Sequence, residues 1–530
     1  MSTIYASPYD DVEIPDVDIT SFVFERAEEL GDKPALVDGP SGRTLTYADL
    51  ALGIRRLAAG LAARGFGDGD VLAVYMPNLP EYAIAFHGAT SAGGKATTMN
   101  PLYTANEVAH QLEDSGAKLL ITVPPFLDAA LDAAERIGLE DVFVVGADKD
   151  LPEPAKPFTD LLGDPDEAPE ISVDAAEDVA VLPYSSGTTG LPKGVMLTHR
   201  NLVANLNQTM VPQAIGEDDV LIGVLPFFHI YGMQVIMNLG LRQGATVVTM
   251  PRFDLEQFLD LIESHKVTRA YVVPPIALAL AKHPAVEGRN VSSLEVIMSG
   301  AAPLGAELSE AVEKRTGAVT IQGYGLTETS PVTHCIPSSG GAAGSIGPAL
   351  PNTECRIVEP ESGNDVDAGE RGELWIRGPQ VLKGYLNNDE ATAATIDGEG
   401  WLHTGDIAVV DDDGNFEIVD RLKELIKYKG FQVPPAELEA LLINHPQVQD
   451  VAVIGVADEE AGELPKAYIV AGDELDHDEL MAWVGERVAP QKKIRLIEEI
   501  EEIPKSASGK ILRRKLVERE RSTAAEVPGT

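Results

Sequence analysis

The chain has 530 residues, more than one ordinary domain holds, so we expect at least two domains with substantial cores. Its apolar fraction of 44% is that of a globular protein, but 84 acidic against 41 basic residues give a formal net charge of −43. So acidic a chain repels phosphate backbones and anionic lipid surfaces, which excludes nucleic acids and membranes as expected partners. The acids are spread along the chain, which favours a solvated surface adapted to high salt.

The cysteines and the termini favour a soluble, cytoplasmic protein. Cys335 and Cys355 are too few for a disulfide framework, and their spacing matches no metal motif. The N-terminus, MSTIYASPYDDVEIPDVD, is acidic where a secretory signal is basic and then apolar. No apolar run approaches the ~20 residues that a membrane span needs. We therefore expect neither a leader nor a membrane-spanning helix, and leave the oligomeric state open between monomer and homodimer.

Short apolar runs closed by Pro, Gly or Ser predict a series of buried strands. Between residues 30 and 180 these runs are VLAVYMP, KLLITVP and DVFVVGA; after residue 180 they are VAVLPY, VLIGVLPF, ATVVTM, RAYVVP and LEVIMSG. Between ATVVTM and RAYVVP, apolar residues at helical spacing, Leu255, Phe258, Leu259 and Ile262, predict a helix with one apolar face. Strands alternating with helices indicate the α/β class, with doubly wound parallel sheets.

The pattern changes between about residues 340 and 420. There the runs CRIVEP, GELWIRG and DDDGNFEIVD predict short strands joined by turns, and hence a small β-rich subdomain. After DRLK at 420–423, a last segment of roughly 110 residues has its own helix, PAELEALLINHP, and its own strand, DVAVIGVA, as a second domain would. We predict a large N-terminal domain over 1–420, a hinge at 421–423 and a mobile α+β C-terminal domain over 424–530.

The stretch SSGTTGLPKG, residues 185–194, is the strongest local sign of a ligand. A glycine-rich loop after a buried strand exposes backbone N–H groups, and hydroxyl side chains add further donors, so such a loop holds phosphate. We expect this loop to join a strand to a helix. In the P-loop of NTPases a glycine directly precedes the lysine and Ser or Thr follows it, whereas here Leu191 and Pro192 precede Lys193 and Gly194 follows. The sequence therefore predicts a phosphate loop of another kind.

The segment YSSGTTGLPKGVMLTH, which contains this loop, resembles the phosphate loop of the adenylate-forming ligases. That family includes acyl-CoA synthetases, 4-coumarate:CoA ligases, firefly luciferases and peptide-synthetase adenylation domains. The resemblance continues in the family's order over nearly the whole chain, through QGYGLTE at 322–328, GELWIRG at 372–378, GWLHTGD at 400–406, DRLKELIKYKGFQVPPAELE at 420–439 and IPKSASGKILRRKL at 503–516. PFFHIYG and MSGAAPLG make the chain most similar to 4-coumarate:CoA ligases and related acyl-CoA synthetases. The resemblance implies that a carboxylic acid and ATP form an acyl-adenylate and pyrophosphate, and that coenzyme A then displaces AMP.

The resemblance also implies the residues that hold ATP. The clamp on the β- and γ-phosphates would be Ser185, Ser186, Gly187, Thr188, Thr189 and Lys193. Glu328 would be the protein's ligand to Mg²⁺, with Thr327 on the α-phosphate. Gly323 and Tyr324 would border adenine, Asp406 would accept from both ribose hydroxyls, and Arg421 would reach the ribose or the α-phosphate.

The C-terminal segment would supply groups that act in turn. Lys510, in the loop KSASGK, would bridge the carboxylate and the α-phosphate during adenylation. A rotation at Lys423 would then withdraw Lys510. After this rotation Lys427 and Gln432 would lie near the adenylate phosphate, and the contacts to coenzyme A would be Lys429, Gly430 and, as a nucleotide-phosphate anchor, Arg252.

The acyl pocket implied by the resemblance is apolar. His229 would border the carboxylate and screen the thiol tunnel, and the wall would be Ile230, Tyr231, Val235, Met298, Ala301, Gly325, Pro331 and Val332, with Gly323 beside them. There is no acidic residue from 227 to 237, which disfavours an amino acid substrate. The 4-coumarate ligases have a small polar residue where this chain has Val235, so a medium- or long-chain fatty acid and an arylalkanoate such as a cinnamate both stay open.

Three other functions fit the same motifs. An adenylation enzyme could load a separate carrier protein, and a luciferase-type oxygenase shares every motif quoted. A sensor of acyl-AMP would have lost the lysine or the glutamate of the site, and both Lys510 and Glu328 are present. In preference to these functions, we expect an AMP-forming acid–thiol ligase that uses ATP, Mg²⁺ and coenzyme A.

Overall fold

The computed structural model describes residues 3–147, 150–185, 192–429, 431–458, 461–472, 475–506 and 509–526, with side chains as far as residue 520. The strands are β1 (Tyr5–Ala6), β2 (Pro34–Asp38), β3 (Thr44–Thr46), β4 (Val71–Tyr75), β5 (Lys95–Thr98), β6 (Ala117–Thr122), β7 (Val142–Val144), β8 (Ala155–Pro157), β9 (Val179–Ser185), β10 (Lys193–Thr198), β11 (Val220–Gly223), β12 (Thr246–Thr249), β13 (Arg269–Val272), β14 (Val296–Ser299), β15 (Val319–Gly325), β16 (Val332–Cys335), β17 (Glu354–Val358), β18 (Gly372–Arg377), β19 (Gly384–Tyr385), β20 (Leu402–Val410), β21 (Phe416–Arg421), β22 (Ile426–Tyr428), β23 (Phe431–Val433), β24 (Val448–Asp458), β25 (Gly462–Ala471) and β26 (Leu496–Glu499).

The α-helices are α1 (Ile19–Val23), α2 (Ala27–Leu30), α3 (Tyr47–Ala62), α4 (Glu81–Ser91), α5 (Ala105–Ser115), α6 (Leu127–Ile137), α7 (His199–Gln213), α8 (Leu239–Arg242), α9 (Leu255–His265), α10 (Pro274–Lys282), α11 (Ala306–Thr316), α12 (Asp389–Thr395), α13 (Pro435–Leu442), α14 (His477–Gly485) and α15 (Arg513–Glu526). A π-helix, Tyr231–Asn238, precedes α8. Across the described ranges, every helix is too short or too polar to cross a bilayer.

Two eight-stranded sheets form the large part of the molecule. Their strand orders are β19-β10-β9-β5-β4-β6-β7-β8 and β16-β15-β14-β13-β11-β12-β2-β3. The inner strands run parallel, and the antiparallel pairs lie toward the sheet edges. Helix α4 is buried along most of its length: Tyr82 packs edge-on against Phe227, and His87 hydrogen-bonds to Asn238 beyond it. The predicted α/β class with doubly wound parallel sheets is confirmed.

A third sheet is antiparallel and has the order β1-β17-β18-β20-β21. Its last four strands come from the region where the sequence predicts a β-rich subdomain. The two-residue strand β1, near the N-terminus, pairs with β17 and is too short to show any periodicity in the sequence. Strand β19, by contrast, leaves this region and pairs with β10 of the first large sheet. Hairpin β20–β21 ends at Arg421, the first residue of the predicted hinge.

The C-terminal segment has a sheet and a core of its own. The sheet has the order β23-β22-β25-β24, with β26 paired to β25. Its core includes Leu438 of α13, Val453 and Ile469 of the central strands, and Val484 of α14. Separate apolar cores are what independent domains need. The predicted division at residues 421–423 stays a prediction.

Candidate functional site

The predicted phosphate loop lies in a hairpin between strands β9 and β10. Ser185 and Lys193 face each other as cross-strand partners, and α7 begins only at His199. The expectation that the loop leads into a helix is therefore wrong. The reason is that the residues after Lys193, GVMLT, pair antiparallel with β9 and so continue the sheet toward β19. Ser186, Gly187, Thr188 and Thr189 lie outside the described residues.

Glu328 lies beside this hairpin, in a short 3₁₀ turn over Thr327–Thr329 that follows β15. Its Oε1 accepts hydrogen bonds from Ser185 Oγ and from the hydroxyl of Tyr385, both at 2.9 Å. The ammonium of Lys193 lies 5.0 Å from the ring centroid of Tyr385. Burial and the neighbouring carboxylate both raise the pKa of Tyr385, so its hydroxyl remains a donor. The structure thus brings both flanks of the loop to one carboxylate.

Asp406, Tyr324 and Arg421 form a second cluster. The hydroxyl of Tyr324 donates to Asp406 Oδ2 at 2.6 Å, and Arg421 Nε lies 3.3 Å from Asp406 Oδ1. Asp406 and Arg421 are partners across hairpin β20–β21, which fixes their spacing. Asp406 is only 4% exposed; burial raises its pKa, and Arg421 and the Tyr324 hydroxyl oppose that effect. The result is a carboxylate held ready to accept hydrogen bonds from hydroxyl donors.

Lys510 reaches this cluster from the C-terminal segment. Its loop is closed by hydrogen bonds from Ser506 N to Lys510 O and from Gly509 N to Ser506 O, both 2.8 Å. The loop packs on the large sheet: a Cβ on Gly509, at φ +79°, would lie 3.0 Å from Val273. Burial, with Arg421 as a neighbouring cation, lowers the pKa of Lys510 to about 8, although Glu424 and Asp406 oppose this. The side chain therefore lies close enough to Asp406 and Arg421 for their charges to act on it.

His229 also lies near Lys510. Burial, with the nearby ammonium of Lys510, lowers the pKa of His229 to about 4, so the imidazole is neutral near pH 7. Its Nδ1 accepts the backbone N–H of Tyr231 at 3.2 Å, which orients the ring. The predicted active-site histidine and lysine are thus brought together, although 281 positions separate them in the sequence.

A small apolar cavity of about 10 Å³ adjoins His229 and is lined by Leu225, Pro226, His229, Tyr231, Gly232, Val273 and Ala301. Two of the predicted wall residues, Tyr231 and Ala301, line this cavity. A third, Met298, contacts the lining, because its carbonyl oxygen lies 3.4 Å from the Tyr231 hydroxyl. Among the other predicted wall residues, Ile230, Val235 and Val332 are buried. A ring-sized substrate needs more room than this, so side chains must move to admit one.

Glycines in and next to the predicted wall allow other groups to pack closely against the backbone. A Cβ on Gly323 would lie 2.1 Å from Met298 Cε, and one on Gly300 would lie 2.8 Å from the Tyr231 ring. A Cβ on Gly325 would lie 1.9 Å from the carbonyl oxygen of Pro331. At positions 323 and 300 the glycine therefore accommodates the flexible side chain of Met298 or the ring of Tyr231.

The residues predicted to act after the rotation, near the adenylate phosphate or on coenzyme A, lie elsewhere. Lys427 and Gln432 are cross-strand partners in hairpin β22–β23, and both are exposed. Within the described ranges, no hydrogen bond or ion pair joins their side chains to Glu328, Asp406 or Lys510. Lys429 has a left-handed backbone at φ +49° in the same hairpin, and Gly430 lies outside the described residues. Arg252 lines a separate surface cavity of about 330 Å³ together with Pro40, Pro251, Asp254 and Gln257.

Two residues at the site were missed by sequence reasoning. Tyr385 binds Glu328, and Glu373 accepts the N–H of Gly405 at 2.9 Å and so supports the backbone next to Asp406. Glu373 lies within the quoted segment GELWIRG, and Tyr385 lies in GYLNN, between two of the quoted motifs. The only available signal was a polar or aromatic residue in or near a motif, which does not indicate its partner.

Comparison with known proteins identifies the class. The family of AMP-binding enzymes matches residues 23–386, and its C-terminal domain matches residues 437–510. The chain therefore belongs to the AMP-binding enzyme family. Among its relatives is 4-coumarate–CoA ligase 1 from Solanum tuberosum, 45% identical over 531 residues that cover 97% of this chain and 96% of the relative. Another, 4-coumarate–CoA ligase 1 from Narcissus pseudonarcissus, is 44% identical and covers 99% and 97%.

A solved structure supports the same assignment. The anthranilate CoA ligase AuaEII, in complex with anthranoyl-AMP, has a TM-score of 0.88 and 28% identity, covering 97% of this chain and 99% of the other. The resemblance stated from the sequence motifs is thus confirmed. So is the interpretation as an enzyme, an AMP-forming ligase of a carboxylic acid and a thiol, with ATP and coenzyme A as its co-substrates.

Proposed function

We propose that this ligase acts on a planar aryl-substituted acid of the cinnamate type and that the residues described above divide the two half-reactions between them. One observation carries the proposal: the charge of Lys510 acts on the pKa of Asp406 and on that of His229, so Lys510 lies near both the Asp406–Arg421 cluster and the histidine that borders the apolar cavity. A cation in that position can bridge a nucleotide phosphate on one side and a substrate carboxylate on the other.

The first half-reaction needs positive charge and hydrogen-bond donors around the α-phosphorus. The carboxylate oxygen attacks this phosphorus, the bond to the bridging oxygen breaks, and pyrophosphate leaves. Ser185 and Lys193 hold the leaving phosphates from the hairpin, Asp406 accepts from the ribose hydroxyls, and Lys510 with Arg421 offsets charge on the α-phosphate oxygens. Fixed cations and donors of this kind stabilise the crowded transition state without having to reorganise.

Mg²⁺ fits the residues at Glu328. Within the described part of the chain no group of three or more His, Cys, Asp or Glu residues is arranged to hold a metal ion. Mg²⁺ in nucleotide sites commonly takes one or two protein carboxylates and completes its shell with phosphate and water oxygens. Glu328, beside the loop flank at Ser185, offers one such carboxylate. When bound there, Mg²⁺ would neutralise charge on the phosphates.

The second half-reaction needs access for a thiol. We propose that the C-terminal segment rotates at Lys423, withdraws Lys510 and turns hairpin β22–β23 toward the adenylate. Lys427 and Gln432 would then contact the adenylate phosphate, and Lys429, Gly430 and Arg252 would contact coenzyme A. Exposure of Lys427 and Gln432 supports this proposal, because both side chains are accessible to another surface.

The choice of acid rests on the relatives and on the cavity. The relatives are 4-coumarate–CoA ligases by name, and AuaEII was solved with anthranoyl-AMP. Tyr231 packs directly on Gly300 and Met298 directly on Gly323, and we propose that a flat ring takes the place of these side chains once they shift. Medium- and long-chain fatty acids are the second candidate, because the cavity lining is apolar and Val235 stands where a polar residue would favour a hydroxylated ring.

A substrate panel tests the proposal. Release of pyrophosphate and formation of the thioester would be measured with cinnamate, 4-coumarate, phenylacetate, octanoate, palmitate and acetate at several salt concentrations. We expect the highest kcat/KM for a cinnamate. A clear preference for octanoate or palmitate would contradict the aryl assignment, and transfer to a carrier protein or light emission without thioester would support the alternative functions.

A further inference from the structure

Helix α13, at the start of the C-terminal segment, is held at both ends by residues of the large domain. At its N-terminal end Asp420 Oδ2 accepts the backbone N–H of Ala436 at 2.8 Å. At its C-terminal end Lys282 Nζ donates to the carbonyl of Ile443 at 3.1 Å. Next to that contact, Asn444 Nδ2 donates to Glu307 Oε2 at 2.6 Å.

The charges of these contacts match the helix. An α-helix carries partial positive charge at its N-terminus and partial negative charge at its C-terminus, so a carboxylate at the first end and a lysine at the second are both favourable. Helix α13 has no side-chain cap of its own, because Pro434 occupies the N-cap position. Asp420, only 4% exposed, supplies the missing acceptor from the other side of the predicted hinge.

The contacts depend on the orientation of the C-terminal segment. Asp420 precedes Lys423, Ala436 follows it, and Lys282 and Glu307 lie at the end of α10 and the start of α11 in the large domain. A rotation at Lys423 carries α13 away from all three side chains. The same rotation withdraws Lys510 from Asp406, so the contacts and the position of Lys510 form and break together.

We propose that Asp420, Lys282 and Glu307 are positioning residues that hold α13 and thereby set how much of the time Lys510 occupies the adenylation site. This inference rests on the proposed domain rotation and goes beyond it, because none of the three residues touches ATP, acid or coenzyme A. Loss of any one contact shifts the equilibrium toward the rotated arrangement, which slows adenylation and favours thioester formation.

A cross-linking experiment measures the arrangement without any substrate. Cysteines introduced as Glu307→Cys and Asn444→Cys would be joined with a short bismaleimide; the native Cys335 and Cys355 are buried. In this background we expect Lys282→Ala and Asp420→Asn to slow cross-linking, whereas Lys314→Ala, an exposed lysine on α11, leaves it unchanged. Equal cross-linking rates in all variants would overturn the inference, whichever acid the enzyme uses.

Half-reaction rates give the second readout. For Lys282→Ala and Glu307→Ala we expect the ratio of thioester formation from supplied acyl-AMP to pyrophosphate exchange to rise about threefold to fivefold, the effect of one partly exposed hydrogen bond. Asp420→Asn should raise the ratio more, and Glu310→Ala is the matched control on α11. A fall of both half-reactions by the same factor would indicate a merely structural role and refute the inference. Absence of both reactions in the wild type would instead contradict the proposed function, while the cross-linking result would stand.

Discussion

Lys510 is a partly buried lysine whose surroundings destabilise its charged form. Enclosure removes water from the ammonium, and Arg421 adds a repulsive neighbour, so the pKa falls to about 8. The phosphates of ATP, which we propose bind next to Lys510, would raise this pKa again, because they add negative charge beside the ammonium. The residue therefore interacts more strongly with the nucleotide than with the empty protein, as a group used for electrostatic stabilisation should.

Replacing Lys510 with alanine should separate the half-reactions. We expect Lys510→Ala to reduce pyrophosphate exchange by at least about 100-fold, since removing one preorganised charge or donor from a transition state costs that much. Thioester formation from supplied acyl-AMP should stay within about threefold of the wild-type rate, below the cost of one hydrogen bond. Lys515→Ala, an exposed lysine of α15, is the control. Equal losses in both half-reactions would refute the division of labour.

The pKa of Lys510 also predicts a pH dependence. In the free enzyme the ammonium loses its proton as pH rises through about 8, so kcat/KM for adenylation should decline above that value. The kcat profile should decline at a higher pH, because bound ATP stabilises the charged form. Lys510→Arg, which keeps its charge throughout, should abolish the alkaline decline in whatever activity it retains. A decline that persists in this variant would assign the titration to another group.

At the scale of single residues, the motifs indicated residues that the structure brings together, but they did not indicate the hydrogen-bond partners of those residues. Glu328, Asp406 and Lys510 each lie in a recognisable segment, and the structure places them around one site. Tyr385 and Asp420 could not be assigned from sequence, because their partners, Glu328 and Ala436, are specified only by the folded chain. A hydrogen bond between positions 57 residues apart, as between Glu328 and Tyr385, leaves no periodic signal.

Among the elements, apolar runs predicted strand cores well and strand partners poorly. The predicted helix at Leu255 is α9, and its start is fixed by Asp254, whose side chain accepts the N–H of Gln257. The phosphate loop was assigned to a strand–helix junction because periodicity cannot distinguish a strand that pairs antiparallel from the start of a helix over five residues. Strand β1 escaped notice for a similar reason, since two residues have no period.

The hinge segment makes its own prediction. Proline fixes φ near −65°, so Lys423→Pro should restrict the change in backbone angles that rotation needs. We expect thioester formation to fall at least about tenfold more than adenylation, a difference of roughly 1.4 kcal/mol. Lys423→Ala removes the same side chain but keeps the backbone free, so it should retain both half-reactions. Comparable rates for both steps in the proline variant would count against rotation at this residue.

For the whole molecule, the net charge of −43 is the dominant property. Like charges on one surface repel each other and destabilise the compact state, and salt screens them, with a Debye length of about 3 Å at 1 M. We therefore expect both the activity and the thermal midpoint to rise with KCl toward molar concentrations. Sucrose at matched viscosity is the control for non-ionic effects. The highest activity in dilute buffer would show that the acidic surface serves another purpose.

The sequence predicted the class of fold and a set of site residues, several of which the structure brings together, but it could not predict how the C-terminal segment is oriented. That orientation depends on a few contacts across the hinge, among them Asp420 with Ala436 and Gly509 against Val273. Such contacts are weak individually, so the proposed rotation would connect two arrangements of similar free energy. Local propensity carries no information about which of the two prevails.

In hairpin β20–β21, Asp406 is the cross-strand partner of Arg421, and Arg421 lies two positions before Lys423. The proposed rotation at Lys423 would therefore have its axis beside the pair that we propose binds the ribose, and the contacts to the ribose would change little as the C-terminal segment rotates. AMP would then remain bound through both half-reactions. Pyrophosphate, which we propose is held by hairpin β9–β10, would dissociate between them. The order of product release, with pyrophosphate first and AMP last, would then follow from the position of the rotation axis.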